Sequence, residues 1–267
     1  MTTSQKLIKY VGIMLGLLLT ISITMGIFEV ISVGINIFSY DDNKTINTVW
    51  SQDNENILSL EVDINYSNLT IEDGDKFEVK TNNKKIEYKY DNNALILNED
   101  SFLFGGNNSN EIVITIPSGI IFNSVAIDTG AGNLNIDNLN TNNLDLDLGI
   151  GTVNINNVIS NKTDIDTGVG SFTINNGTLN NLDLDIGIGN VMIISRISGS
   201  SKIDSGIGKT YLNLLGTRDD YKFDVSKGIG KISIDGTKTN DDELVGMGSN
   251  YIELSGGIGE IIVEFAG

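Results

Sequence analysis

The sequence contains no cysteine and no histidine, and it has one proline and one tryptophan in 267 residues. Without cysteine there can be no disulfide, thiolate metal site, cysteine nucleophile or lipidated N-terminal cysteine. Without histidine the usual general base and the commonest metal-ligating side chain are also missing. Cationic residues are scarce too: 17 Lys and Arg against 35 Asp and Glu give a formal net charge of −18. A surface so charged repels nucleic acid and anionic lipid, which removes the first as a partner class and disfavours the second. The simplest role of the acidity is to keep a β-rich surface soluble. A surface for divalent cations or cationic ligands is the sharper alternative.

What is present fills a core. Apolar residues make up 40% of the chain, too many for an acidic disordered protein. The 30 glycines, with abundant Asn, Asp, Ile and Thr, predict strands joined by tight turns.

The first 40 residues differ from the rest. From Tyr10 to Phe28 no residue is charged, and Lys6 and Lys9 precede the run. A helix of that length would span about 28 Å, close to the hydrocarbon thickness of a bilayer. The lysines place the N-terminus in the cytoplasm by the positive-inside rule. Residues 1–40 are therefore read as a cytoplasmic stub and transmembrane signal anchor. A cleaved signal peptide is the competing reading, but the run is long for one and lacks a small-x-small cleavage site. Glu29 is read as lying at the membrane interface. Residues 41–56 are polar and read as a linker, with Trp50 an early packing residue of the domain that follows.

From residue 57 short alternating runs appear, among them "LSLEVDI", "KIEYKY" and "EIVITIP", separated by Asn, Asp or Gly clusters. This is the strand-and-turn signature. Pro117 fits a strand end, where its missing N–H costs no ladder bond. Phe102 and Phe104, in "SFLFGGNNSN", read as loop aromatics that fold back on the core.

A 19-residue repeat then runs from about residue 125 to 214. Its Gly-x-Gly pairs are Gly130 and Gly132, Gly149 and Gly151, Gly168 and Gly170, Gly187 and Gly189, and Gly206 and Gly208, with looser copies at Gly228–Gly230 and Gly257–Gly259. In "LDLDLGIGTVNIN", Leu144, Leu146, Leu148 and Ile150 share one inward face while Asp145, Asp147, Gly149 and Gly151 take the other. The apolar phase slips at the glycines, as expected where the chain turns a corner and both arms keep their apolar side inward. Asparagine pairs such as Asn156–Asn157 and Asn175–Asn176 are read as the second corner, in left-handed conformations. A constant period without insertions favours a parallel β-solenoid of 19-residue rungs over an antiparallel meander. The apolar residue between the glycines points the same way, since exposed hairpin tips should be polar. The expected fold is therefore all-β: a parallel solenoid over residues 57–267, preceded by an N-terminal transmembrane helix. The last copy, "GGIGEIIVEF", lacks an evident cap, so either a cover from residues 241–250 or self-association through the terminal rung is expected.

The repeated Gly-x-Gly is not a dinucleotide fingerprint, because strand follows it and the third glycine is missing. Asp128, Asp147, Asp166, Asp185 and Asp204 occupy one repeat position and predict an outward column, with Asp145, Asp164 and Asp183 beside it. Such a file could hold Ca²⁺, which prefers clustered oxygen ligands. The preferred reading is a solvated or structural face, because the nine-residue Ca²⁺ β-roll signature is absent. Catalytic carboxylate pairs are unique in a chain, whereas these are repeated, so no catalytic residue and no cofactor is assigned.

The order of features resembles a known family. A basic-flanked N-terminal apolar segment leads to alternating strands, then "IVITIPSG", then serial "IDTGAGNLNI" units and a closing "GGIGEIIVEF". This resembles the bacterial putative-adhesin family of β-strand-repeat proteins of unknown function, which includes LiaG-like membrane proteins; the likeness covers about residues 57–267. It implies a β-helical extracytoplasmic domain with a role in surface interaction or envelope stress, and it supplies no catalytic residues. The resulting expectation is a non-catalytic binding or scaffolding module at the cell membrane, its C-terminal domain outside. The bilayer, met through the N-terminal helix, and an envelope protein or glycan are the expected partners. A Ca²⁺-stabilised surface domain is the first alternative and a carbohydrate-active β-helix enzyme the second.

Overall fold

The computed structural model describes residues 45–52, 57–100 and 110–267. The strands are β1 (Asn47–Gln52), β2 (Ser59–Ile64), β3 (Ser67–Gly74), β4 (Phe77–Thr81), β5 (Ile86–Asp91), β6 (Ala94–Glu99), β7 (Asn110–Pro117) and β8 (Phe122–Ala131). They continue as β9 (Leu134–Ile174), β10 (Gly177–Asn180), β11 (Leu182–Ser198), β12 (Ser200–Leu215), β13 (Tyr221–Ser226), β14 (Ile229–Ile234), β15 (Thr237–Lys238), β16 (Glu243–Gly246) and β17 (Asn250–Ala266). One 3-10 turn, Arg218–Asp220, precedes β13.

All 17 strands belong to one mixed sheet. Its middle is parallel: Asp128 pairs with Asp147, Asp166 with Asp185, and Asp185 with Asp204. The repeat period is thus the register of the ladder, and each unit lies on the one before it.

Both ends depart from that pattern, and this corrects the expectation of a uniformly parallel solenoid. β5 pairs antiparallel with β6, β4 with both β7 and β1, β13 with β16, and β14 with β15. For the two consecutive pairs, β5–β6 and β14–β15, the reason is loop length. Asn92 and Asn93 at the β5–β6 turn have φ of 50° and 64°, and Asp235 and Gly236 at the β14–β15 turn have 51° and 71°. A two-residue turn of that kind can only return the chain antiparallel. The transmembrane helix of the expected fold is likewise not retained. Among the described residues no helix is long and apolar enough to cross a membrane, and the Tyr10–Phe28 run lies outside them, as do Phe102 and Phe104. β1 falls within the stretch read as linker, and its Trp50 packs against the core.

Each repeat strand changes direction at its Gly-x-Gly, so the sheet has two faces that enclose the apolar rows. One row runs Leu97, Val62, Ile127, Leu146, Ile165, Leu184, Ile203, Leu254 and Val225, all essentially inaccessible to water. At about 1.5–3 kcal/mol for each fully buried aliphatic side chain, such rows are the main stabilising element. Aromatic side chains plug the ends: Phe77 meets Phe122 edge-on at 6.4 Å, and Tyr221 lies 5.7 Å from Phe265.

Chain order and stack order part near the C-terminus. β17 is inserted between β12 and the β13–β14 layer: Ile207 pairs with Ile258, and Ile229 pairs with Ile258 from the other side. The "GGIGEIIVEF" rung is therefore covered by residues 221–234, and β16 in turn pairs with β13.

Two local expectations are also corrected. The residue between the glycines does not point inward: its exposure rises along the stack from 37% at Ile188 to 76% at Ile229. Asn156, Asn157, Asn175 and Asn176 do not adopt left-handed conformations, since the positive-φ non-glycine positions among the described residues are Asn92, Asn93, Asn181, Asp235 and Asp242. They form amide ladders instead. Asn175 donates to Asn156 at 3.1 Å and Asn176 to Asn157 at 3.2 Å. In-register stacking offers each amide a copy of itself one strand away, while the chain still bends at Asn176 between β9 and β10.

Candidate functional site

The alternation that buries Leu144, Leu146 and Leu148 sends Asp145 and Asp147 to solvent on the same strand. Repeating this at a fixed register builds two outward columns. Asp128, Asp147, Asp166, Asp185 and Asp204 stack consecutively, as the sequence predicts. Asp63 of β2 pairs with Asp128 and extends the column by one, while Ser255 ends it beyond Asp204. In the second column Asp145, Asp164 and Asp183 are followed by Lys202 and Glu253. Asp63, Lys202 and Glu253 belong to the site but were missed from sequence. Asp63 and Glu253 join through registers other than 19, and Lys202 breaks the acidic pattern.

Like charges about 5 Å apart repel by roughly 0.8 kcal/mol per pair in water-like surroundings, less with salt. The effect shows in the carboxyl groups. Partial burial, with Asp147 and Asp63 alongside, pushes Asp128 above its ordinary range. Partial burial, with Asp185, Asp164 and Asp147 nearby, does the same for Asp166. Asp185 is raised by partial burial and by Asp204 and Asp183, against the opposing pull of Lys202. At Asp204 burial again pushes upward, but hydrogen bonds from Lys202 and Ser255 outweigh it and hold the group below the usual range. Lys202 Nζ lies 2.5 Å from Asp204 Oδ2 and 3.9 Å from Asp185 Oδ1. The file is thus neutralised at one end and left uncompensated around Asp166.

Where the lysine enters, the face is indented. A groove of about 270 Å³ is lined by Lys162, Asp164, Asp183, Lys202, Tyr251 and Glu253, among others. Tyr251 is fixed there by a 3.0 Å hydrogen bond from its hydroxyl to Asp224. The groove offers charges of both signs and an aromatic ring to a polar ligand. Among the described residues no group of three or more Asp or Glu is gathered closely enough to hold a metal ion.

The repeat glycines lie along the edge between the two faces. A Cβ on Gly189, whose φ is +150°, would meet the carbonyl oxygen of Gly170 at 1.7 Å, and one on Gly187 would meet that of Gly168 at 2.2 Å. Backbone therefore packs on backbone at this edge, and the glycines set the spacing on which the aspartates are displayed. Their role is architectural, and they offer no cradle to a phosphate.

The sequence model of the family described as Toastrack DUF4097 matches residues 36–242. No curated protein matches the chain. Among solved structures, a putative adhesin from Bacteroides fragilis aligns with a TM-score of 0.43 at 15% identity, over 83% of this chain and 98% of the other. A putative cell adhesion protein from Clostridium sporogenes aligns with a TM-score of 0.35 at 13% identity, over 83% and 99%.

Proposed function

We propose that this chain, which belongs to the Toastrack DUF4097 family, is a non-catalytic, adhesin-like binding or scaffolding module of the cell envelope. Its working surface is the acidic face. The observation that carries this reading is the pair of carboxylate columns, one of five aspartates and one of three, stacked in register along β8, β9, β11 and β12. A docking surface needs charge displayed at a constant spacing on a stiff support, and the stacked ladder supplies that.

The partner this face fits is an envelope protein or glycan bearing positive charge, with the mixed-sign groove at Lys202 fixing its register. The proposed location is the membrane, with residues 57–267 outside the cytoplasm. The uncharged run from Tyr10 to Phe28 and the two lysines before it support this placement.

The test is capture of envelope components by the whole chain and by a triple variant, Asp147→Asn, Asp166→Asn and Asp185→Asn. A partner retained by the natural chain at low salt, released by salt and lost with the variant supports the reading. Equal retention by both proteins contradicts it, as does turnover of a glycan by the purified chain.

A further inference from the structure

The two ends of the stack differ, and the difference orients the molecule. At one end β1 and β5 are the outermost strands of the two faces. They meet through Trp50 and Tyr90, whose ring centroids are 6.2 Å apart. Around this pair Tyr88 is 44% exposed, and Ile46 and Val49 also face solvent. Residues 76–91 of the same end carry five lysines against three carboxylates, in a chain whose net charge is −18. At the opposite end, residues 235–243 around β15 and β16 carry Asp235, Asp241, Asp242 and Glu243 against Lys238 alone.

We propose that the β1–β5 end is seated on the headgroup layer of a lipid bilayer, with Trp50, Tyr88 and Tyr90 at the interface and the stack projecting away from it. This rests on the membrane location proposed above. Tryptophan and tyrosine favour that interface because an apolar ring and a polar edge are both satisfied there. Lys80 and Lys89 are paired with Glu78 and Asp91, so the positive surplus offered to the headgroups lies in Lys76 and Lys84 beside them, whereas the acidic far end is repelled. The chain as a whole is unfavourable to an anionic surface, and this end is the exception, so charge selects the orientation.

Seated in this way, the acidic face stands upright and open to partners.

Trp50 is the only tryptophan, so its emission reports the contact directly. The full chain is reconstituted into phosphatidylethanolamine–phosphatidylglycerol vesicles, with and without lipid brominated high on the acyl chain. The expected result is co-flotation with the vesicles and loss of Trp50 emission to the brominated lipid. A variant carrying Trp50→Phe and Met247→Trp, which moves the probe to the far end, keeps its emission. Flotation with Trp50 unquenched, or quenching at position 247 instead, overturns the orientation while leaving membrane attachment intact. Failure to float overturns both. Unquenched Trp50 with concentration-dependent dimers means that a second copy covers this end, and it overturns the proposal too.

Discussion

Ile207 pairs with Ile258, 51 residues further along the chain, although the preceding Gly-x-Gly positions, from Ala131 to Ile207, are joined at an interval of 19. The C-terminal strand β17 therefore lies inside the stack, with β12 on one side and β13 and β14 on the other. Removing residues 250–267 should act as the loss of a central strand and not as the trimming of a frayed end. It uncovers Ile203 and Leu212 and leaves the 221–246 segment with nothing to dock on. We expect the truncated chain to lose cooperative unfolding, and amide exchange in the intact chain to be as slow in β17 as in β12. Rapid exchange confined to β17 would contradict the insertion.

The glycine edge should be intolerant of even a methyl group. At Gly189 the positive φ and the 1.7 Å approach to the Gly170 carbonyl act together, so Gly189→Ala should cost on the order of 3 kcal/mol or more. Gly119 has φ of +85° but open space around it, so Gly119→Ala should cost only about 1–2 kcal/mol. Denaturant midpoints of the two variants, measured side by side, check the difference. Equal losses would mean that backbone contact at the edge contributes nothing.

Glu99 is a buried carboxylate whose role is structural. One oxygen accepts from the main-chain N–H groups of Asn65 and Tyr66, both at 2.8 Å. The other accepts from the Ser67 hydroxyl at 2.9 Å and the Asn83 amide at 2.6 Å. Glu99→Ala orphans all four donors, and we expect a loss on the order of 3 kcal/mol or more. Glu99→Gln keeps one good acceptor and should lose about half as much. Urea unfolding of both variants measures the ratio, and a neutral Glu99→Ala would refute this anchoring role.

Stability should rise on mild acidification. The carboxyl groups of Asp128, Asp166 and Asp185 are held above their ordinary range by burial and by neighbouring carboxylates. Groups raised in the folded state contribute stability that is present below their unfolded value and lost as pH climbs through the folded one. Lowering the pH from neutral into their range should therefore raise the melting midpoint. Asp204 is held low by Lys202 after its burial is offset, and its contribution disappears only below the ordinary carboxylate range. The midpoint should thus peak near that range and fall in stronger acid. Asp166→Asn should raise the midpoint at neutral pH and flatten the rise. A midpoint that falls steadily from neutral pH downward would contradict this.

Simple screening should produce the same stabilisation, because the repulsion acts between exposed charges. Ca²⁺ and Mg²⁺ at equal ionic strength are expected to raise the midpoint equally. A rise specific to Ca²⁺ and abolished by Asp147→Asn with Asp185→Asn would instead make the acidic file a cation site.

The middle of the fold was legible because its order is translational. A period of 19 with apolar residues at alternate positions fixes register, core row and outward aspartates together, and Asp128 to Asp204 stack as the spacing requires. The ends were not legible, because pairing there is set by turns and by distant segments. The β5–β6 reversal depends on left-handed Asn92 and Asn93, and nothing local in "EFAG" shows that its strand belongs inside the stack. The asparagines were misread for a related reason: Asn156 and Asn175 find partners only once the rungs are stacked. Lys202 escaped notice because it breaks the acidic pattern, yet it sets the charge at one end of the site.

The account stands on the acidic face being the surface that partners meet. A photo-crosslinking residue placed at position 166 in the middle of that face, and another at the exposed Met192 position on the opposite face, tests this in living cells. The account predicts discrete adducts from position 166 that weaken with added salt, and none from position 192. Adducts from 192 alone, or an equal yield from both positions, would contradict it.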